Sequence, residues 1–442
     1  MIRQRFDRKA TSEHFVVFFF ERHADNGAME PVHGVRDLRL VTECLAALEH
    51  SYRVLARELG DEPLFAPSGR VPVYLFSVGD CFDGDVHLRS AQARELYFPH
   101  AQQVYPVILL PSRSAKASFE EELETLRVSA AHELAHVFNG RTRWGRRYVG
   151  GVSRSWQFWR PWVWLNEGLA IRAEWLAFPE NREWLGFVRE WVDRPATPLD
   201  HSGYAAGMFA HYTAVWGARR GFPDLLKRLW TPQPAYLQPE SQCPLDQPFR
   251  GTERIPATIP RVFRELGTSF DDFFLTYCSD GWFIADAHLW PDSLNLVGLR
   301  YQERGLSGST VLRPDREQIE DPHFRADHSL DHLACRYFRL IVKETLPSVT
   351  VTITIADATP PAHLRATIAP AAGQVRPARS TFVELQPSSD NPRILVARLE
   401  RVEPLTADAL ILTVANCGTL DQEGFPRQHD DARAFSIAIE CG

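Results

Sequence analysis

The segment AAHELAHVFNG, residues Ala130–Gly140, constrains the fold of this chain more than any other stretch. It belongs to a run (Phe119, Leu123, Leu126, Ala130, Leu134, Val137, Phe138) whose apolar steps of three and four mark a helix. Ser118, with Glu121 three residues on, gives the capping-box pattern for its start, and Gly140 stands where the helix is expected to end. Residues four apart on a helix lie one above the other, so His132 and His136 aim both imidazoles at one point while Leu134 and Ala135 face elsewhere. Two imidazoles make an incomplete zinc site, because a catalytic zinc takes three protein ligands and keeps a position open for water. Glu133, directly after the first histidine, is placed to take that water's proton. Either the fold delivers a third ligand from elsewhere, or the two histidines are ordinary polar residues on one helix.

A candidate lies downstream. Trp164-Leu165-Asn166-Glu167-Gly168-Leu169-Ala170, WLNEGLA, opens a second helical pattern running from about Trp164 to Phe178. Glu167 is embedded there among Leu165, Leu169, Ala170 and Ile171, where an ionised carboxylate is costly unless it is paired or bound to metal.

HExxH followed on a later helix by NEGxA resembles the gluzincin metallopeptidases, the group that includes thermolysin and aminopeptidase N. The resemblance implies a zincin-like fold over roughly residues 12–230, one Zn2+ per chain, the ligands His132, His136 and Glu167, and Glu133 as general base. Further on, YAAG at Tyr204–Gly207 is similar to the YxxG segment of aminopeptidase-N-like enzymes, which implies that Tyr204 donates a hydrogen bond to the oxyanion. A phenol, neutral at working pH, suits that task. His201 and Tyr212 are close enough in sequence to compete for it.

This sequence departs from the group in two places. The gap between His136 and Glu167 is longer than usual, and the extra length, Arg141–Trp162, carries Trp144, Trp156, Trp159 and Trp162 beside basic residues. A longer loop still lets the glutamate reach the metal, since closure costs grow slowly with length. Its tryptophans either pack the loop or stack on a substrate ring. Gly27–Glu30, GAME, resembles the start of the amine-binding motif of aminopeptidases, but Pro31 follows and the segment lies far upstream of His132. We read it as a loop, and an exopeptidase assignment loses its main support.

Composition sets the remaining bounds. At 442 residues, with 44% hydrophobic and 24% charged, the chain is expected to form two or three globular domains. The net charge of −7 with interspersed signs argues against a nucleic-acid partner, and no apolar run is long enough to span a membrane. Phe15–Phe20 is followed by Glu-Arg-His instead of a small-residue cleavage site and reads as a strand. The seven cysteines are odd in number, scattered and without a CxxC pair. That pattern points to a reducing, cytoplasmic compartment. A secreted protein freed of its signal peptide would read the same.

Leu38, Val41, Leu45, Leu48, Tyr52, Leu55 and Leu59 predict a long amphipathic helix capped by Gly60, and RVPVYLF (70–76) and VYPVILL (104–110) predict strands. Helices are also expected over 203–219 and 269–282, with an irregular loop over 232–258. After about His328, seven short runs predict an all-β sandwich: 337–343, 349–356, 364–368, 381–385, 394–399, 409–414 and 435–439. The expected fold class is therefore α+β, a zincin-like domain over 1–230, its helical or irregular extension over 231–328, and a β-sandwich over 329–442. The expected activity is hydrolysis of a peptide or protein substrate. The alternative is a protein whose sandwich binds glycan or protein beside a structural or vestigial zinc domain.

Overall fold

A computed structural model describes residues 6–20, 32–35, 37–60, 62–63, 65–78, 94–100, 103–112, 118–144, 163–181, 187, 191, 194–199, 203–230, 255–282, 316–319, 323–341, 345–356, 363–371, 382–402, 409–418 and 433–441. The chain is α+β and divides into two compact units. Met1–Trp184 with Leu226–Phe249 form the first, and Leu185–Leu225 with Arg250–Gly442 form the second.

The first unit is built on one mixed sheet of six strands, β1 (Arg8–Thr11), β2 (Phe15–Phe19), β3 (Val32–His33), β4 (Val71–Val78), β5 (Arg94–His100) and β6 (Gln103–Ser112), in the order β1-β2-β4-β6-β5 with β3 paired to β4. β2, β4 and β6 run parallel, and β1 and β5 are antiparallel edges. Parallel neighbours need a crossover, and α1 (Arg39–Leu59) supplies the one between β2 and β4. Its apolar stripe buries Leu40, Cys44, Leu48 and Leu55. Gly60, at φ +59°, closes the helix in the left-handed conformation with its N–H bonded to the Ala56 carbonyl.

α2 (Phe119–Trp144) begins as expected, with Ser118 and Glu121 bonding each other's backbone N–H at 3.0 and 3.2 Å. It does not stop at Gly140 but continues to Trp144. A glycine inside a helix costs only about 1 kcal/mol, and nothing in Arg141–Trp144 opposes the helical conformation. α3 (Val163–Ala177) completes the layer, packing on α1 and α2.

Among its described residues the second unit contains α4 (Gly207–Arg219), the Leu225 end of α5 (Leu225–Trp230), α6 (Ile255–Glu265), α7 (Phe270–Trp282) and ten strands. The strands are β7 (Arg316–Ile319), β8 (Arg325–Leu330), β9 (Ala334–Ile341), β10 (Leu346–Ile355), β11 (Leu364–Ala371), β12 (Val383–Glu384), β13 (Gln386–Pro387), β14 (Ile394–Val402), β15 (Ala409–Asn416) and β16 (Arg433–Cys441). They form two five-stranded sheets, β13-β14-β10-β16-β8 and β12-β11-β15-β9-β7. Val349, Val351 and Ile353 of one meet Phe338, Leu410 and Leu412 of the other in a single buried cluster, which makes the pair a sandwich.

β15 is buried at every position, unlike the alternating β10. The reason is α7, which covers the outer face of its sheet: Tyr337 donates to the Cys278 carbonyl at 2.6 Å, and the Ser279 and Thr367 hydroxyls bond at 2.7 Å. Gly281 is required in that contact, since a Cβ there would stand 2.2 Å from the Trp191 ring and 2.8 Å from the Tyr337 hydroxyl.

This grouping differs from the boundaries expected at 230 and 328. Residues 185–225 join the sandwich through Leu199 N–H to the Leu333 carbonyl and Cys335 N–H to the Pro195 carbonyl, both 2.9 Å, and α4 packs Phe209 on Phe273 and Tyr277 of α7. The sandwich also starts earlier than residue 329, with β7 and β8. α6 begins inside the segment expected to be irregular, with Pro256 in its first turn, where a missing N–H costs nothing. The strand expected over 381–385 is two dipeptides: Val383–Glu384 pairs with β11 and Gln386–Pro387 with β14, so the chain changes sheets at buried Leu385.

Candidate metal centre

α2 and α3 bring the candidate ligands together inside the first unit. Ala130, Ala131, Leu134, Ala135 and Val137 are fully buried and fix α2, which leaves His132 and His136 turned toward α3. The two imidazoles lie 4.8 Å apart, centre to centre, and are inclined at 78°. Glu167 of α3 approaches both, its Oε2 3.1 Å from His132 Nε2 and 3.6 Å from His136 Nε2. One ligand atom from each of the three side chains lies within 4.8 Å of the others.

These distances suit zinc. Donors about 2.0–2.1 Å from a tetrahedral ion are about 3.4 Å from one another, and the two measured separations fall on either side of that value. The donor set of two nitrogens and one carboxylate oxygen is that of a hydrolytic zinc site. Glu133 is 4% exposed on the same turn of α2, beside the first ligand.

α3 is apolar on all sides, with Trp164, Leu165, Leu169, Ala170, Ile171, Ala173 and Trp175 all buried. Each of its charged side chains there has a defined task. Glu167 faces the histidines, Arg172 pairs with Glu58 of α1, and Glu174, 4% exposed, meets His132 Nδ1 at 2.6 Å. His50 of α1 adds a ring nitrogen 2.8 Å from the Ala177 carbonyl, capping the C-terminal end of α3. Reasoning from sequence missed Glu174, although a second glutamate two helical turns after Glu167 was a usable signal.

The electrostatics follow from this crowding. Burial favours the neutral form of Glu167, but the adjacent imidazoles of His136 and His132 outweigh it and hold the carboxyl well below the usual carboxylate range. Burial likewise opposes the charged form of His132, and the carboxylates of Glu167 and Glu174 overcome it, so this imidazole's pKa stands well above its ordinary 6.5. Without metal, His132 therefore carries a proton at pH 7 while Glu167 is already ionised. Zinc needs the bare Nε2, so its binding at pH 7 is expected to release about one proton from His132, and affinity is expected to rise with pH. Titration calorimetry in two buffers of different ionisation enthalpy reads this directly. Equal heats in both would contradict it.

The other expected site residues fall elsewhere. Tyr204 lies in the second unit on a single 3-10 turn, Gly203–Ala206, 38% exposed, its ring 4.8 Å from that of Phe187. Tyr212, its competitor, is 2% exposed and donates to Asp280 Oδ2 at 2.6 Å, so it is a core residue with an engaged hydroxyl. His201, Trp156, Trp159, Trp162 and Gly27–Glu30 lie outside the described residues, as does the side chain of Trp144. No helix among the described residues is long and apolar enough to cross a membrane.

Comparison with known protein families and with characterised protein sequences finds no match. Among solved structures the chain overlaps the pre-peptidase C-terminal domain of a collagenase from Bacillus anthracis with a TM-score of 0.20 at 8% identity, over 29% of this chain and 98% of that one. It overlaps PliG, the periplasmic inhibitor of g-type lysozyme from Salmonella Typhimurium, with a TM-score of 0.18 at 11% identity, again over 29% and 98%. A GH115 4-O-methyl-α-glucuronidase overlaps 73% of this chain and 39% of its own at 0.17 and 10% identity. Overlaps this slight assign neither a fold nor a function, and the site has to be read from its own chemistry.

Proposed function

We propose that this chain is a zinc-dependent peptidase whose first unit is zincin-like and gluzincin in its ligand set. The observation that carries this reading is the convergence of His132, His136 and Glu167 within 4.8 Å, with a buried carboxylate, Glu133, next to the first ligand. Bound zinc would supply a Lewis acid that polarises a carbonyl and acidifies a water. Glu133 would accept that water's proton and return it to the leaving amine. His132, His136 and Glu167 would hold the metal.

A purely structural zinc site has no use for a base at Glu133, which favours the enzyme over a binding module. Nor does the sandwich present a sugar platform among its described residues, since the exposed large apolar side chains are Leu38 and Tyr204, neither of them on its strands. The zinc-loaded protein is expected to cleave members of a mixed peptide library, to stop after treatment with a chelator, and to resume when zinc is restored. Cleavage indifferent to the chelator would show that the metal is not involved.

A further inference from the structure

We propose that a cavity in the second unit, where the corner between α6 and α7 faces the point at which the chain changes sheets, binds a small apolar molecule ending in a carboxylate. The cavity measures about 560 Å³, within the range of about 300–1,000 Å³ typical of small-molecule sites. Pro260 of α6, Phe270 of α7, Leu364 of β11, buried Leu385, and Pro392 and Leu395 around the start of β14 make its apolar wall. β12 and β13, dipeptides on either side of Leu385, are too short to cover this corner of the sandwich. An apolar body that enters removes both its own surface and the wall's from water, and that is the part of the affinity that needs no directed contact.

The charged side chains on the wall, Asp271, Arg365, Glu384 and Arg264, select the ligand's polar end. Arg365 donates from Nε to Glu384 Oε1 at 2.8 Å and from Nη1 to Asp272 Oδ1 at 2.6 Å, and Asp271 Oδ2 lies 3.3 Å from His363 Nδ1. Three of the four are therefore engaged by the protein itself. Arg264, exposed in the last turn of α6, has no hydrogen-bond or ion-pair partner among the described residues. The N–H groups of Phe270 and Asp271, the first two of α7, also lack an acceptor there, because Ser269 Oγ takes the Asp272 N–H at 2.9 Å and the Ser269 carbonyl takes that of Phe273. A guanidinium and a helix N-terminus both favour an anion, and the guanidinium fork matches the two oxygens of a carboxylate. A cationic ligand would meet Arg264 as a like charge, and the wall's carboxylates already have partners.

The test titrates the full-length protein with 2-naphthoate, its neutral amide 2-naphthamide and the cationic 2-naphthylmethylammonium by ligand-observed NMR, at about 0.1 M salt. The wild type is expected to bind naphthoate with a Kd on the order of 1 mM or tighter, an ordinary efficiency for a ligand of this size. The amide and the ammonium are expected to bind at least about tenfold more weakly, as loss of a charge-assisted hydrogen bond requires. Arg264→Gln should weaken naphthoate about tenfold and leave the amide unchanged. Pro392→Trp, which places a ring in the cavity, should weaken both. Arg264 and Pro392 are exposed, so both variants are expected to fold, with circular dichroism as the check. If Pro392→Trp does not fold, Arg264→Gln decides alone. Naphthoate that does not bind, binds no better than the amide, or binds both variants as it binds the wild type would overturn the proposal. So would binding that survives Arg264→Gln and is abolished by a metal chelator, since the carboxylate would then sit on the metal centre.

Discussion

Glu167→Ala is expected to lose zinc while keeping its fold. Glu167 supplies the only carboxylate among the three ligands, and its Oε2 sits 3.1 and 3.6 Å from the two imidazoles. Without it the histidines offer two neutral donors and no negative charge, an incomplete set for a tight site. The loss should exceed the roughly 100-fold ceiling for residues that support a ligand instead of being one. The fold should survive because Glu167 is partly exposed and α3 remains tied through Arg172, Glu174 and buried Leu165, Leu169 and Ile171. Metal content after dialysis against a weak chelator, with circular dichroism as the control for folding, measures both. A variant that keeps a full zinc would place the third ligand elsewhere.

Glu133→Gln should behave in the opposite way, with metal retained and turnover gone. Glutamine is nearly isosteric and cannot accept a proton, and Glu133 is not among the converging ligands. Proton transfer by a positioned side chain is worth about 10²–10⁴-fold in rate, so hydrolysis should fall by that amount at unchanged zinc occupancy. Affinity for peptide should change little, because removing a proton acceptor acts on the transition state more than on the bound substrate.

The centre was legible in the sequence because each part leaves a local trace. Helical spacing puts His132 above His136, and a charge at Glu167 within an apolar helix has to be paired. Glu174 obeys the same rule and was overlooked, since its partner, the Nδ1 of His132, belongs to another helix and is identified only once α2 and α3 pack.

The sandwich strands with β-branched alternation, such as β10, were also readable. β7 and β8 were not, because both are sheet edges and REQI and RADHSL carry the polar residues that edges use to avoid pairing with other chains. The continuous apolar run ALILTVAN of β15 recorded that both faces of the strand are covered, but not that α7 is the cover. Gly140 misled in a different way: glycine ends helices often enough to be read as a stop, yet the cost of passing it is small.

The central claim is that this centre hydrolyses peptide bonds with Glu133 as base. Its most direct test incubates wild type and Glu133→Gln, each carrying about one zinc per chain, with the same mixture of peptides and unfolded proteins and identifies the products by mass spectrometry. The account predicts discrete cleavages by the wild type that are missing with Glu133→Gln. Identical product spectra from the two proteins, whether both cut or neither does, would contradict it.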